Sequence, residues 1–152
     1  MNKIAGIIAF AAAMAVASPG LSAEYEVLML NKDGQGRTMQ FEPAFLRVEP
    51  GDTVTFIPAD KGHNAETILD LIPADAPTWK GKTNEAIKVT FTAPGLYAYK
   101  CMPHFPMGMV GLIQVGDDRS NMQDIMAARI PARAVARLAE LLAMTGGAPS
   151  SQ

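Results

Sequence analysis

One stretch near the middle of the chain limits the fold more than any other. Cys101-Met102-Pro103-His104-Phe105-Pro106-Met107-Gly108-Met109 lies between two strand-like runs, Leu96–Lys100 and Met109–Val115, so two strands must deliver it as a loop. It holds the single cysteine and one of the two histidines; the other, His63, falls in a second apparent loop well upstream. Taken singly, each residue has an ordinary explanation. A lone cysteine is usually a small buried hydrophobe, a lone histidine a satisfied core or surface residue, and a methionine packing. Together, a thiolate, two imidazoles and a thioether match the ligands of a blue-copper electron-transfer site, with Cys and two His in a plane and a weak axial Met. The spacing Cys-x2-His-x4-Met wraps Cys101, His104 and Met109 around one ion from one tight loop, and His63 closes the plane. Soft sulfur suits Cu(I) and imidazole suits Cu(II), so one copper ion held between them passes one electron with little rearrangement. Met109 is the expected axial ligand because the strand it opens fixes its direction. Met107 sits at the loop tip, where it is expected to be exposed.

The N-terminus reads as an export signal. Met1-Asn2-Lys3 is followed by an apolar run from Ile4 to Ala17 and then by Ser18-Pro19-Gly20-Leu21-Ser22-Ala23. The run is too short to span a bilayer and suits a signal core, so cleavage is expected after Ala23 and a retained anchor is not. Nothing else in the sequence suggests a membrane span. Removing Lys3 with the leader takes the formal charge from −2 to about −3, a balance that argues against nucleic acid as a partner. One cysteine excludes an internal disulfide. An exported protein with a single thiol risks oxidation or intermolecular pairing, and a metal on the thiolate removes that risk.

Short β-rich runs follow the leader: Glu24–Leu30, Thr38–Phe41, Phe45–Val48, Thr53–Ile57, Ala86–Phe91, Leu96–Lys100 and Val110–Val115. Turn chemistry separates them, as in Asn31-Lys-Asp-Gly-Gln-Gly36, Glu49-Pro-Gly-Asp52 and Pro94-Gly95. This pattern predicts an all-β sandwich. The stretch from Glu66 to Lys82 has no clean period and is expected to be loop with a helical turn. After Asp117 the period changes. Ser120-Asn-Met-Gln123 reads as a capping box, Met122, Ile125 and Met126 follow at helical spacing, and Pro131 separates a second helix whose apolar face is Val135, Leu138, Leu141 and Leu142. The expected organisation is a leader over 1–23, a sandwich with the copper site over 24–117, two helices packed on it over 118–146, and a flexible tail over 147–152.

Leader, strands, ligand loop and paired helices together resemble pseudoazurins. The stretches that carry the likeness are Met29-Leu-Asn-Lys32, Phe41-Glu-Pro43, Gly51-Asp-Thr-Val-Thr-Phe-Ile-Pro58, Lys61-Gly-His-Asn64 and Lys100-Cys-Met-Pro-His104 with Met107-Gly-Met109. The resemblance implies a cupredoxin-like Greek-key β-sandwich with two C-terminal α-helices. It implies a periplasmic one-electron carrier, a monomer that serves redox partner proteins, with nitrite reductases and cytochromes as the typical ones. His63, Cys101, His104 and Met109 fall on the copper ligands, Asn64 on the residue that hydrogen-bonds the ligand sulfur, and Met39 beside the exposed ligand histidine. Pro103 belongs to the apolar surroundings of that histidine. The family docks through lysines, which makes Lys32, Lys61, Lys80 and Lys100, with Met107 in the apolar collar, the expected docking residues. Met102, Phe105 and Pro106 depart from the residues family members often carry, as does Leu28.

Other classes fit less well. A copper enzyme of the nitrite reductase or multicopper oxidase type needs further copper centres with several more imidazoles, and this chain has two histidines in all. A structural zinc domain is disfavoured because zinc prefers thiolate, imidazole and carboxylate over thioether. A copper storage or delivery protein remains the alternative, since the chain has ten methionines, although they are scattered rather than clustered.

Overall fold

The computed structural model describes residues 20–146, so the expected leader core and C-terminal tail lie outside the described residues. Two four-stranded sheets face each other. One runs in the order β2 (Thr38–Glu42), β1 (Glu24–Lys32), β4 (Thr53–Pro58), β6 (Ile87–Thr90), and the other β3 (Phe45–Val48), β8 (Val110–Val115), β7 (Gly95–Lys100), β5 (Glu66–Thr67). The β1–β4 and β3–β8 pairs are parallel and the remaining pairs antiparallel.

Side-chain alternation explains which residues meet between the sheets. Val27 and Met29 on β1 and Val54 and Phe56 on β4 point inward at every second position and are buried. On β7 and β8 both faces are covered. Tyr97 and Tyr99, with Cys101 just beyond, join Met109, Ile113 and Val115 in the core between the sheets. Leu96, Ala98, Val110 and Leu112 join a second core under the helices. All six residues of β8 are therefore buried, which is why Val110–Val115 is apolar at all but Gln114, whose buried side chain donates to the Gly116 carbonyl and accepts from Gly146 N–H.

The second core exists because the C-terminal helices cover the outer face of β7 and β8. Helix α1 (Met122–Met126) buries Ile125, and α2 (Ala132–Leu142) buries Ala134, Leu138, Leu141 and Leu142, a stripe at i, i+4, i+7 and i+8. Each large side chain buried this way contributes about 1.5–3 kcal/mol. Among the described residues no helix is long and apolar enough to cross a membrane.

Several sequence expectations change in detail. Val135, expected on the buried face, is 41% exposed, and Ala134 takes its place. Met126 is also exposed. The capping box does not form: Asn121, not Ser120, precedes α1, and its side chain bridges back to β7, accepting from Leu96 N–H at 3.1 Å and donating to the Leu96 carbonyl at 2.8 Å. That pairing anchors the helix pair to the sheet and removes the cap. The expected helical turn between Glu66 and Lys82 is absent; the segment supplies β5 and a bridge between Glu66 and Lys80. Met109 lies one residue before β8 rather than within it.

Candidate metal centre

Two loops at one end of the sandwich bring the donors together. Cys101 follows β7 directly and is fully buried. The chain then turns through Met102–His104, a short 3-10 turn over Phe105–Met107, and Gly108 into Met109. Backbone hydrogen bonds close this loop: the N–H groups of Met107 and Met109 both donate to the His104 carbonyl, at 3.0 and 3.2 Å, and Cys101 N–H donates to the Met109 carbonyl at 3.0 Å. Gly108 adopts φ +87°, and a Cβ there would stand 3.0 Å from the Arg133 carbonyl oxygen. Glycine thus serves both the turn and the close approach of α2 to the loop.

His63 arrives from the loop after β4 and is also fully buried. Its Nδ1 lies 3.6 Å from Cys101 Sγ and 3.1 Å from His104 Nδ1, while His104 Nδ1 lies 3.5 Å from Sγ. The opposite nitrogen of His63, Nε2, meets Asn31 Oδ1 at 2.9 Å. Because an amide oxygen only accepts, Nε2 carries the proton and donates, which leaves the Nδ1 lone pair facing His104 and Cys101. Met109 is fully buried in the same core, whereas Met107 is 42% exposed. His104 is half-exposed.

The electrostatics suit a metal ligand set. Burial, then the facing His104, lowers the proton affinity of His63, with Asp60 opposing. Burial raises the Cys101 thiol above its ordinary range, opposed by the backbone N–H groups of Asn64 and His104, which point at the sulfur; the negative charge of Glu66 raises it further. The sulfur stands 3.5–3.6 Å from each imidazole nitrogen, the spacing of about 3.5–3.8 Å that ligands at roughly 2.0–2.3 Å in a plane around one ion have, and the two nitrogens stand somewhat closer, at 3.1 Å. Thiolate, two imidazoles and a buried thioether are a copper set. Among the described residues His63, Cys101 and His104 are the group of such side chains able to hold an ion.

A two-sheet sandwich with this cluster at one end defines a type 1 copper protein of the cupredoxin class. Residues 27–116 match the family of copper binding proteins described as plastocyanin/azurin. The chain is 50% identical over 130 residues to the pseudoazurin of Paracoccus pantotrophus, covering 86% of this chain and 89% of that one. In structure it resembles a pseudoazurin from Sinorhizobium (TM-score 0.77, 47% identity, 80% of this chain and 94% of that one). It also resembles the native pseudoazurin from Hyphomicrobium denitrificans (TM-score 0.77, 40% identity, 82% and 99%). The chain belongs to the plastocyanin/azurin family and, within it, to the pseudoazurins, blue copper electron carriers rather than enzymes. His63, Cys101, His104 and Met109 form the family's typical ligand set for one copper.

The expected neighbours of the site divide. Asn64 is buried and its backbone N–H, not its side chain, faces the sulfur; the side chain instead accepts from Met102 N–H at 2.7 Å and donates to Glu66 and the Gly81 carbonyl. Met39 is half-buried against the core that contains Cys101 and Met109, at φ +52°, a backbone conformation rare outside glycine. Pro103 is exposed beside Met102. Lys32, Lys61 and Lys80 are exposed and, among the described residues, form no ion pair. Lys100 departs from the expectation of a free docking lysine. Its side chain is only 17% exposed, with Nζ 3.5 Å from Glu66 and 4.8 Å over the Phe105 ring, because β5 pairs Glu66 directly opposite it. Two residues escaped the sequence reading, Asn31 and Glu66. The sequence reading placed Asn31 at the start of a turn, whereas β1 runs on to Lys32, and nothing local marked either residue.

Proposed function

We propose that the protein is exported to the periplasm and there carries single electrons to a nitrite reductase, docking through the surface around His104. The observation that carries this reading is the contrast between the donors: Cys101, His63 and Met109 are fully buried, and His104 alone is half-exposed. Copper, when bound, supplies a one-electron Cu(I)/Cu(II) couple. The polypeptide supplies the rest. Loop hydrogen bonds hold the His104 backbone, Asn31 orients His63, and the backbone N–H groups of Asn64 and His104 donate toward the sulfur that carries charge. The His104 ring is then the shortest route to solvent. Exposed Pro103, Pro106 and Met107, with Met102 and half-exposed Phe105 and Met39, form an apolar collar there for brief, dry contact. Lys32, Lys61 and Lys80 add positive charge on exposed side chains of the same domain. The protein works as a monomer in this reading, and the leader over 1–23 is removed.

The test is stopped-flow mixing of the reduced, copper-loaded protein with a copper nitrite reductase and, separately, with a cytochrome. Saturable oxidation coupled to nitrite turnover supports the reading. Copper transfer to an acceptor apoprotein without reversible electron exchange would instead select the delivery role.

A further inference from the structure

Beside the metal donors a buried polar chain links both sides of the ligand loop. Glu66 opens β5 and stands opposite Lys100 on β7. Its side chain is 8% exposed, and its two oxygens are used separately: Oε1 faces Lys100 Nζ at 3.5 Å, and Oε2 accepts from Asn64 Nδ2 at 3.0 Å. Asn64 Nδ2 also donates to the Gly81 carbonyl at 3.1 Å, and Asn64 Oδ1 accepts from Met102 N–H at 2.7 Å. Lys100 Nζ covers the ring of Phe105, the residue after His104.

The charge on Glu66 has a specific structural consequence. A side-chain amide can be turned end for end with little change in shape, so its neighbours decide which end donates. An ionised carboxylate only accepts. With Glu66 and the Gly81 carbonyl both accepting, Nδ2 must face them and Oδ1 must face Met102 N–H. That choice fixes the first turn of the ligand loop and the backbone of Asn64, whose N–H meets Cys101 Sγ. A buried ion pair is weak evidence for stability, because desolvation offsets its attraction, and its best-attested use is to fix one arrangement among several.

We propose that Glu66 is a positioning residue of the redox site: through Asn64 and Lys100 it holds the ligand loop in one arrangement, and as a buried negative charge it keeps the reduction potential low. The inference rests on the copper assignment. A nearby negative charge stabilises Cu(II) over Cu(I), so removing it favours the reduced form. The positive charge of Lys100 acts in the opposite sense.

The experiment compares copper-loaded wild type, Glu66→Gln, Glu66→Asp and Lys100→Met by spectroelectrochemical midpoint potential and by Met102 amide hydrogen exchange in the Cu(I) form. Glu66→Gln should raise the potential and speed Met102 exchange about tenfold, since a neutral amide that can turn either end toward Asn64 replaces the charged acceptor that holds it. Glu66→Asp, which keeps the charge, should stay closer to wild type in potential than Glu66→Gln does. An unmoved potential in Glu66→Gln overturns the proposal, even if exchange quickens, and so does unchanged exchange. If Glu66→Gln does not fold, Lys100→Met carries the test with the opposite sign: a fall in potential supports the proposal, and an unmoved or raised potential refutes it. A wild-type protein that binds copper without intense visible absorption would fail the copper assignment itself, a different result from any of these.

Discussion

Cys101 and Met109 are joined through the backbone: the Cys101 N–H donates to the Met109 carbonyl over 3.0 Å, and Met109 N–H in turn donates to the His104 carbonyl. The thiolate, the half-exposed imidazole and the thioether therefore sit on one loop closed by its own backbone hydrogen bonds.

This link decides between the two methionines. Met109 is fully buried and tied to both loop ligands, whereas Met107 is 42% exposed. We expect Met109→Gln to change the potential and the visible spectrum strongly, because the axial ligand tunes both. Met107→Gln should leave both nearly unchanged and act, if at all, on partner affinity. Paired voltammetry and optical spectra of the two variants check this; equal shifts would mean that the axial assignment is wrong.

Cys101 is the only thiol in the chain. Cys101→Ser should abolish thiolate-to-copper absorption and one-electron cycling. The sandwich should survive, since the smaller hydroxyl faces two imidazole nitrogens that can take part in hydrogen bonds. A stability loss of about 1–2 kcal/mol is expected. Visible absorption and far-UV circular dichroism separate the two effects, and a variant that kept its intense colour would refute the ligand role.

How much of this was legible beforehand follows from chemistry that is local or not. The donor set lies within one loop plus His63, and soft-ligand identity needs no tertiary information. Strands alternate or run apolar in sequence, so the positions of all but the two-residue β5 were readable. Asn31 and Glu66 were not readable. Each acts across sequence distance, on His63 and on Lys100 and Asn64, through pairings that only the sheet order creates. Val135 failed for a related reason: helical periodicity finds a stripe, but the sheet beneath decides whether its edge is covered. Lys100 reads from sequence as a docking lysine beside the ligand loop, and only the pairing of β5 with β7 shows Glu66 opposite it.

Gly111 is a second position where tertiary packing outweighs local pattern. In a β8 run otherwise rich in branched residues it leaves room for Tyr99, its register partner on β7. A Cβ at this position would stand 2.1 Å from Tyr99 Cζ and 2.2 Å from its hydroxyl oxygen. The ring cannot retreat, because Phe41 and Phe56 pack edge-on against it at 4.7 and 4.9 Å. Gly111→Ala is expected to cost about 3 kcal/mol or more, at the upper end for overpacking a dense core. Denaturant unfolding of the apoprotein measures it, and Gly36→Ala, at an open turn, serves as a comparison with a backbone cost but no clash.

The last expectation concerns partner encounter. Lys61 lies two residues before His63 and is exposed, as is Lys32 at the end of β1, next to Asn31, which orients that histidine. The protein is acidic overall, so these charges act against the net field and matter only as a local patch. Steering by such a patch changes association rate more than the redox centre. Lys32→Ala with Lys61→Ala should slow electron transfer to nitrite reductase about tenfold at low ionic strength. The difference should close as the Debye length falls from about 30 Å at 0.01 M salt to about 8 Å at 0.15 M, while the potential stays put. Lys100→Ala should behave differently. It removes the cation paired with Glu66 and leaves only the Asn64 hydrogen bond, so its defect should persist in high salt and be accompanied by a shifted potential. Second-order rates across a salt series, with potentials measured in parallel, distinguish the two. A Lys32/Lys61 double variant as fast as wild type at low salt would leave the apolar collar around His104 as the docking determinant.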